Sequence, residues 1–134
     1  MSFIKSNDVT WEQLEWGDLG WVVHPGRVPE ASELTVLDVI IQPGEGHAFH
    51  KHPNQQEAIY VIEGEIEQWL GEQSQILGVH ESVFIPMDTV HASFVAADAP
   101  APARLVVVLG PSYSDVGYVA VDVSTKEPWA SLRG

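Results

Sequence analysis

Between Gly44 and Gly64 the chain reads GEGHAFHKHPNQQEAIYVIEG. His50 and His52 stand two apart, and in a β-strand that spacing points both imidazoles to one face. Pro53-Asn54 is a turn pair. Glu57 opens the strand that follows and shares a face with Ile59 and Val61. A carboxylate therefore faces two imidazoles across neighbouring strands. Further on, SVFIPMDTVHASFV ends one strand at Pro86 and opens another at His91, so His91 is available as a fourth ligand. Three neutral imidazoles and one carboxylate suit one divalent transition metal: iron, manganese, nickel, cobalt, copper or zinc. Four protein ligands on an octahedral ion leave two adjacent positions for substrate, water or dioxygen. Such a site carries about one residual positive charge and favours an anionic ligand.

The elements that must position these residues are short strands. Gly17, Gly20, Pro25-Gly26, Pro43-Gly44, Pro53-Asn54, Gly64, Gly71, Gly78, Pro86 and Gly110-Pro111 divide the chain into pieces rich in Val, Ile and aromatics. The pattern predicts strands near 9–16, 19–24, 34–42, 47–52, 57–63, 65–70, 74–78, 81–85, 90–96, 103–109 and 117–123. Short strands at this spacing indicate an all-β sandwich or barrel. No segment has helical periodicity, although Lys126 to Arg133 has room for one helical turn. PGRVPEASE (25–33) and AADAPAPA (96–103) read as surface loops.

Composition narrows the function. The chain has 134 residues, no cysteine and a formal net charge of −13. Disulfides, thiolate metal sites and cysteine nucleophiles are excluded, so a metal must be held by His and carboxylate. An acidic surface repels phosphate backbones and anionic lipid, so nucleic acid and membrane are not expected partners. MSFIKSNDVTW lacks an apolar signal core, and no window reaches transmembrane length. A cytoplasmic protein is expected. There is no GxSxG elbow, phosphate loop or GxGxxG.

Gly44, five residues, His50, one residue, His52, four residues, Glu57, six residues, Gly64 is similar to the complete first motif of the cupin superfamily. The second motif is matched at Pro86 and His91. Its first glycine is replaced by His80, its second by Asp88, and its asparagine by Val95. The resemblance implies a double-stranded β-helix (the jelly-roll, or cupin, barrel) with metal ligands His50, His52, Glu57 and His91. It implies one cupin domain over 1–134, with N-terminal strands in 1–33, the metal-binding motifs in 44–95 and closing strands in 103–123. A small cupin of the type-2, quercetinase-like kind implies one of two functions on a small-molecule partner. The favoured one is a metal-dependent enzyme, of dioxygenase type or a decarboxylase or isomerase, acting on an oxygen-rich metabolite with Glu57 as catalytic base. The other is a non-catalytic module that binds or senses a small molecule around a structural metal. A homodimer is also implied, and the tryptophan-rich start of the chain offers it an interface.

Other residues have plainer readings. Gly44 and Gly64 are turn residues. Strand parity turns His47 away from the ligands, and it is expected in solvent, as are His24 and His80. Trp11, Trp16 and Trp21 are expected in core or dimer packing. Tyr60 should face opposite to Glu57, and Glu63, Glu65, Glu67 and Glu72 read as a solvated face.

Overall fold

The structure, a computed structural model, describes residues 2–113 and 117–133. Its strands are β1 (Thr10–Leu14), β2 (Gly17–Val23), β3 (Thr35–Ile41), β4 (Gly46–Lys51), β5 (Gln56–Glu63), β6 (Ile66–Leu70), β7 (Gln73–Leu77), β8 (Ser82–Ile85), β9 (His91–Phe94), β10 (Ala103–Gly110) and β11 (Val121–Asp122). A single-turn helix, α1 (Trp129–Leu132), ends the described chain. Every strand expected from the sequence is present, with its ends moved. The largest change is at 117–123, where only Val121–Asp122 is strand and Gly117 makes a lone bridge to Tyr113.

The first sheet has the order β1-β2-β3-β10-β5-β8 and the second β11-β4-β9-β6-β7. All pairings are antiparallel. From β3 onward the chain passes from one sheet to the other and back, which makes a double-stranded β-helix. The turns follow local chemistry. Gly44 and Gly64 hold φ of +84° and +75°, the left-handed region that glycine enters without cost. His80 and Asp88, which replace the second motif's glycines, hold φ of +70° and +59°. The turn geometry is thus kept with side chains that tolerate it less well.

The core lies between the sheets. Residues alternate strictly along β3 and β10, with Leu37, Val39 and Ile41 and then Leu105, Val107 and Leu109 buried. Ile59 and Val61 of β5, Leu19 of β2 and Ile85 of β8 complete this wall. Each such side chain stabilises the fold by about 1.5–3 kcal/mol through leaving water. Val95, at the position of the motif's asparagine, belongs to the same cluster. On the outer face Arg104 donates two hydrogen bonds to Asp38, at 2.9 and 2.6 Å.

A second cluster lies outside the second sheet. Phe49, Ala92 and Val123 are buried there, with Trp69, Val90, Phe94, Trp129 and Leu132 packed against them. The C-terminal segment therefore covers the outer face of β4, β9 and β6. Among the described residues no helix is long and apolar enough to cross a membrane.

Candidate metal centre

The four expected ligands converge. One ligand atom from each of His50, His52, Glu57 and His91 lies within 4.8 Å of every other, and all four residues are buried. His50 faces His91 across the β4–β9 pair. His52 follows β4 directly. Glu57 projects inward from β5, where it pairs with Leu109 on one side and Ile85 on the other. Tyr60 faces the opposite way and is exposed.

The imidazoles are aimed by the backbone. His50 Nδ1–H donates to Ala48 O at 2.7 Å, His52 Nδ1–H to Val119 O at 2.8 Å, and His91 Nδ1–H to Thr89 O at 2.9 Å. A carbonyl only accepts, so each ring carries its proton on Nδ1 and presents Nε2 to the centre. Val119 is itself fixed by buried Gln55. The Gln55 amide donates to Pro111 O and Gly117 O and accepts from Val119 N–H.

At the centre, polar atoms crowd together without satisfying one another. His91 Nε2 lies 2.7 Å from Glu57 Oε1, and His52 Nε2 lies 3.6 Å from it. Yet His91 Nε2 and Glu57 Oε1 have no hydrogen-bond partner among the described residues. Buried polar atoms left so are costly. A divalent cation satisfies all four donors at once, so these residues fit a metal ion.

The charge balance agrees. Burial raises the Glu57 carboxyl, but the charge of His91, then of His52 and His47, outweighs it and holds Glu57 below its ordinary range. Burial likewise opposes a charge on His91, and the Glu57 carboxylate outweighs that, so His91 is raised. Burial, and then the neighbouring histidines, hold His50 far below its usual value. His52 is also lowered, chiefly by burial. Glu57 is thus ionised, and His50 and His52 are neutral, the forms in which these side chains can ligate a cation.

The centre lies on a narrow cavity between the two walls. One side is aliphatic, with Leu37, Val39, Ile59, Leu105 and Val107 among its residues. The other carries the histidines and Ser93. Trp16, His47 and Tyr118, each half-buried, also line it.

The Cupin domain family model (Cupin_2) matches residues 37–109, more than half of the chain. The chain belongs to the cupin family. This cupin is 34% identical over 95 residues to the polyketide synthase CurC of Streptomyces cyaneus, a match covering 71% of this chain and 60% of that protein. The chain therefore spans less than two thirds of that relative. Its fold resembles the polyketide cyclase RemF from Streptomyces resistomycificus, with 20% identity, a TM-score of 0.73 and 98% of each chain covered. It also resembles KdgF from Halomonas sp., with 19% identity, a TM-score of 0.73, and 86% of this chain and 97% of that one covered. Oxalate decarboxylase of Lactobacillus farciminis matches at 19% identity and a TM-score of 0.75, over 89% of this cupin and 35% of that chain.

Sequence reasoning misplaced two residues. His47 is not in solvent. It stacks on Trp16 at 4.1 Å and on His50 at 3.6 Å, and burial lowers its pKa to about 3. The reason is a one-residue bulge: His47 pairs with Ser93 and His50 with His91, so three steps on β4 match two on β9. The bulge returns His47 to the inner face. Trp16, expected in packing, does pack against the core and also lines the cavity. His24 is half-buried against Trp21, whereas His80 is exposed as expected. Ser93 gave a weak signal, since it alternates with His91. Gln55, Gln68 and Tyr118 gave none.

Proposed function

We propose that this cupin is a metal-dependent enzyme acting on a small, oxygen-rich, enolisable molecule of the polycarbonyl class, by proton transfer and ring closure. The observation that carries this reading is the make-up of the cavity. Aliphatic side chains face a polar cluster suited to a metal, and no lysine or arginine is among the described lining residues. A small dianion such as oxalate calls for such cations. A flat carbon skeleton bearing several carbonyls suits an aliphatic wall opposite a metal. The likeness to two proteins named for polyketide chemistry supports the same class.

In this reading His50, His52, Glu57 and His91 hold the ion. When bound, a divalent ion supplies Lewis-acid polarisation of carbonyl oxygens. Glu57, through its other carboxylate oxygen Oε2, takes a proton from a carbon between two carbonyls. That carbon bonds to a carbonyl carbon further along the molecule, and Glu57 returns the proton to the alkoxide oxygen that forms. The same carbon then gives up its second proton as the new hydroxyl leaves as water, which makes a ring carbon–carbon double bond. The aliphatic wall excludes water from these steps.

Mass spectrometry of a polyketone substrate incubated with metal-loaded protein under nitrogen tests the reading. Ring closure with loss of water is the expected result, slowed roughly 10²–10⁴-fold in Glu57→Gln. Gain of two oxygen atoms only under air would replace it with the dioxygenase chemistry. Tight binding with no change in mass would leave a binding module. The same reading takes residues 1–134 as one domain, supported by sheets that run from β1 to β11. It also takes the protein as a homodimer, supported by Tyr60, Phe84 and Met87 exposed on or beside the outer face of the first sheet. Tyr60→Glu/Phe84→Glu should then halve the mass in sedimentation equilibrium.

A further inference from the structure

The inner face of the second sheet carries a polar row beside the metal cluster. Ser93 pairs with His47 on β4 and with Gln68 on β6, so the three side chains lie side by side across three strands. His47 and Ser93 line the cavity. Gln68 lies behind Ser93 and is 3% exposed. Ser93 stands two residues along β9 from His91, about 7 Å at strand spacing.

The hydrogen bonds in this row have one direction. The Gln68 Nε2 amide donates to Trp69 O at 3.0 Å. That fixes the amide and turns Oε1 toward β9. Oε1 can only accept, and Ser93 Oγ–H donates to it at 2.6 Å. A hydroxyl has one proton and two lone pairs. The proton of Ser93 is committed behind the wall, and its lone pairs remain for the cavity.

We infer that Ser93, set as an acceptor by Gln68, reads a hydroxyl on the substrate: the phenol or enol group that lies across the molecule from the oxygens held at the metal. The inference rests on the proposed polycarbonyl reading and narrows it to molecules that carry such a distal donor. Ser93 is a specificity-determining residue here, and Gln68 is a positioning residue that acts through it.

The test is calorimetric binding to zinc-loaded protein. Zinc holds the ligand without redox chemistry. The probes are resacetophenone and its monomethyl ether paeonol. Both keep the adjacent carbonyl and hydroxyl that a metal chelates, and only resacetophenone has the distal hydroxyl. Wild type should bind resacetophenone about tenfold tighter, the scale of one neutral hydrogen bond. Ser93→Ala should weaken resacetophenone to the level of paeonol and leave paeonol unchanged. Gln68→Met frees the Ser93 proton to donate to the ether oxygen, so it should close the gap by strengthening paeonol. Equal loss of both probes in Ser93→Ala, or no preference in wild type, overturns the role of Ser93 while the polycarbonyl reading stands. Failure of zinc-loaded wild type to bind either probe overturns both.

Discussion

The two inner walls of the barrel are built on opposite plans. In the first sheet, β3, β5 and β10 turn Leu, Val and Ile inward, with Glu57 the acidic exception, and leave Asp38, Tyr60 and Arg104 outside. In the second, β4, β9 and β6 turn His50, His91, Ser93 and Gln68 inward, and Phe49, Ala92 and Trp69 outward. The second sheet is inverted, and it is stable because its apolar side is covered elsewhere, by Val123, Trp129 and Leu132. A sheet can line a cavity with polar groups if its other face supplies the hydrophobic burial. Each inward polar group must also be pinned, as the Nδ1 bonds to Ala48, Val119 and Thr89 pin the imidazoles.

The largest effect should come from the aliphatic wall. Leu105→Ala opens a void in a side chain that is 2% exposed. It should cost roughly 2–5 kcal/mol in denaturant unfolding and leave the metal stoichiometry of the folded protein intact. Next is the ion itself. In protein purified without a histidine tag, zinc at a hundredfold excess over its dissociation constant should add about 2.7 kcal/mol to unfolding free energy. His50→Ala/His91→Ala should bind no stoichiometric metal by elemental analysis and gain nothing. A near-equal gain in the double mutant would move the metal elsewhere.

A third change removes the acid–base contact that joins the two walls. Glu57 and His91 are a buried acid and base whose contact leaves both atoms unsatisfied. Replacing both by leucine should abolish metal binding. It should also keep the metal-free protein as stable, or raise its stability by about 1–4 kcal/mol, because the desolvation cost disappears. A large loss of metal-free stability would mean that the pair holds the barrel together without an ion.

The sequence made one wall legible and left the other half-hidden. On β3, β5 and β10 period-two alternation of aliphatics is the whole signal, and core placement follows from it. The candidate ligands were legible because His50-x-His52 and Glu57 keep fixed spacing across one turn. His47 was not, because a bulge between it and His50 reverses parity, and the sequence does not mark the bulge. Gln68 was hidden, and Ser93 only weakly marked by its alternation with His91, because a glutamine and a serine on short strands look like solvent-facing residues. Their role depends on register with β4 and with each other, which is a long-range fact. The outer cover was hidden for the same reason: nothing near Trp129 says that it lies against Phe49.

The smallest effect tests how that cover is fastened. Arg133 Nε and Nη2 donate to the two Glu67 oxygens at 2.8 and 3.2 Å, and its guanidinium lies 3.7 Å from the centre of the Phe94 ring. Trp69 Nε1–H donates to the same carboxylate at 2.5 Å. The Arg133 hydrogen bonds, opposed by partial burial and helped by Trp69, hold the Glu67 carboxyl below its usual value. A carboxyl lowered in the folded state adds stability above its unfolded pKa and loses it as pH falls through the folded one. The pair is partly exposed, with 42% of the Arg133 side chain and 32% of that of Glu67 open to solvent. Arg133→Ala should therefore cost only about 1 kcal/mol at neutral pH. Below the Glu67 titration the cost should shrink to what the Phe94 contact contributes. Chemical unfolding of both proteins from neutral pH down into the acid range measures it. A difference that does not change with pH would mean that the ion pair adds nothing, and that Trp129 and Leu132 hold the cover by burial alone.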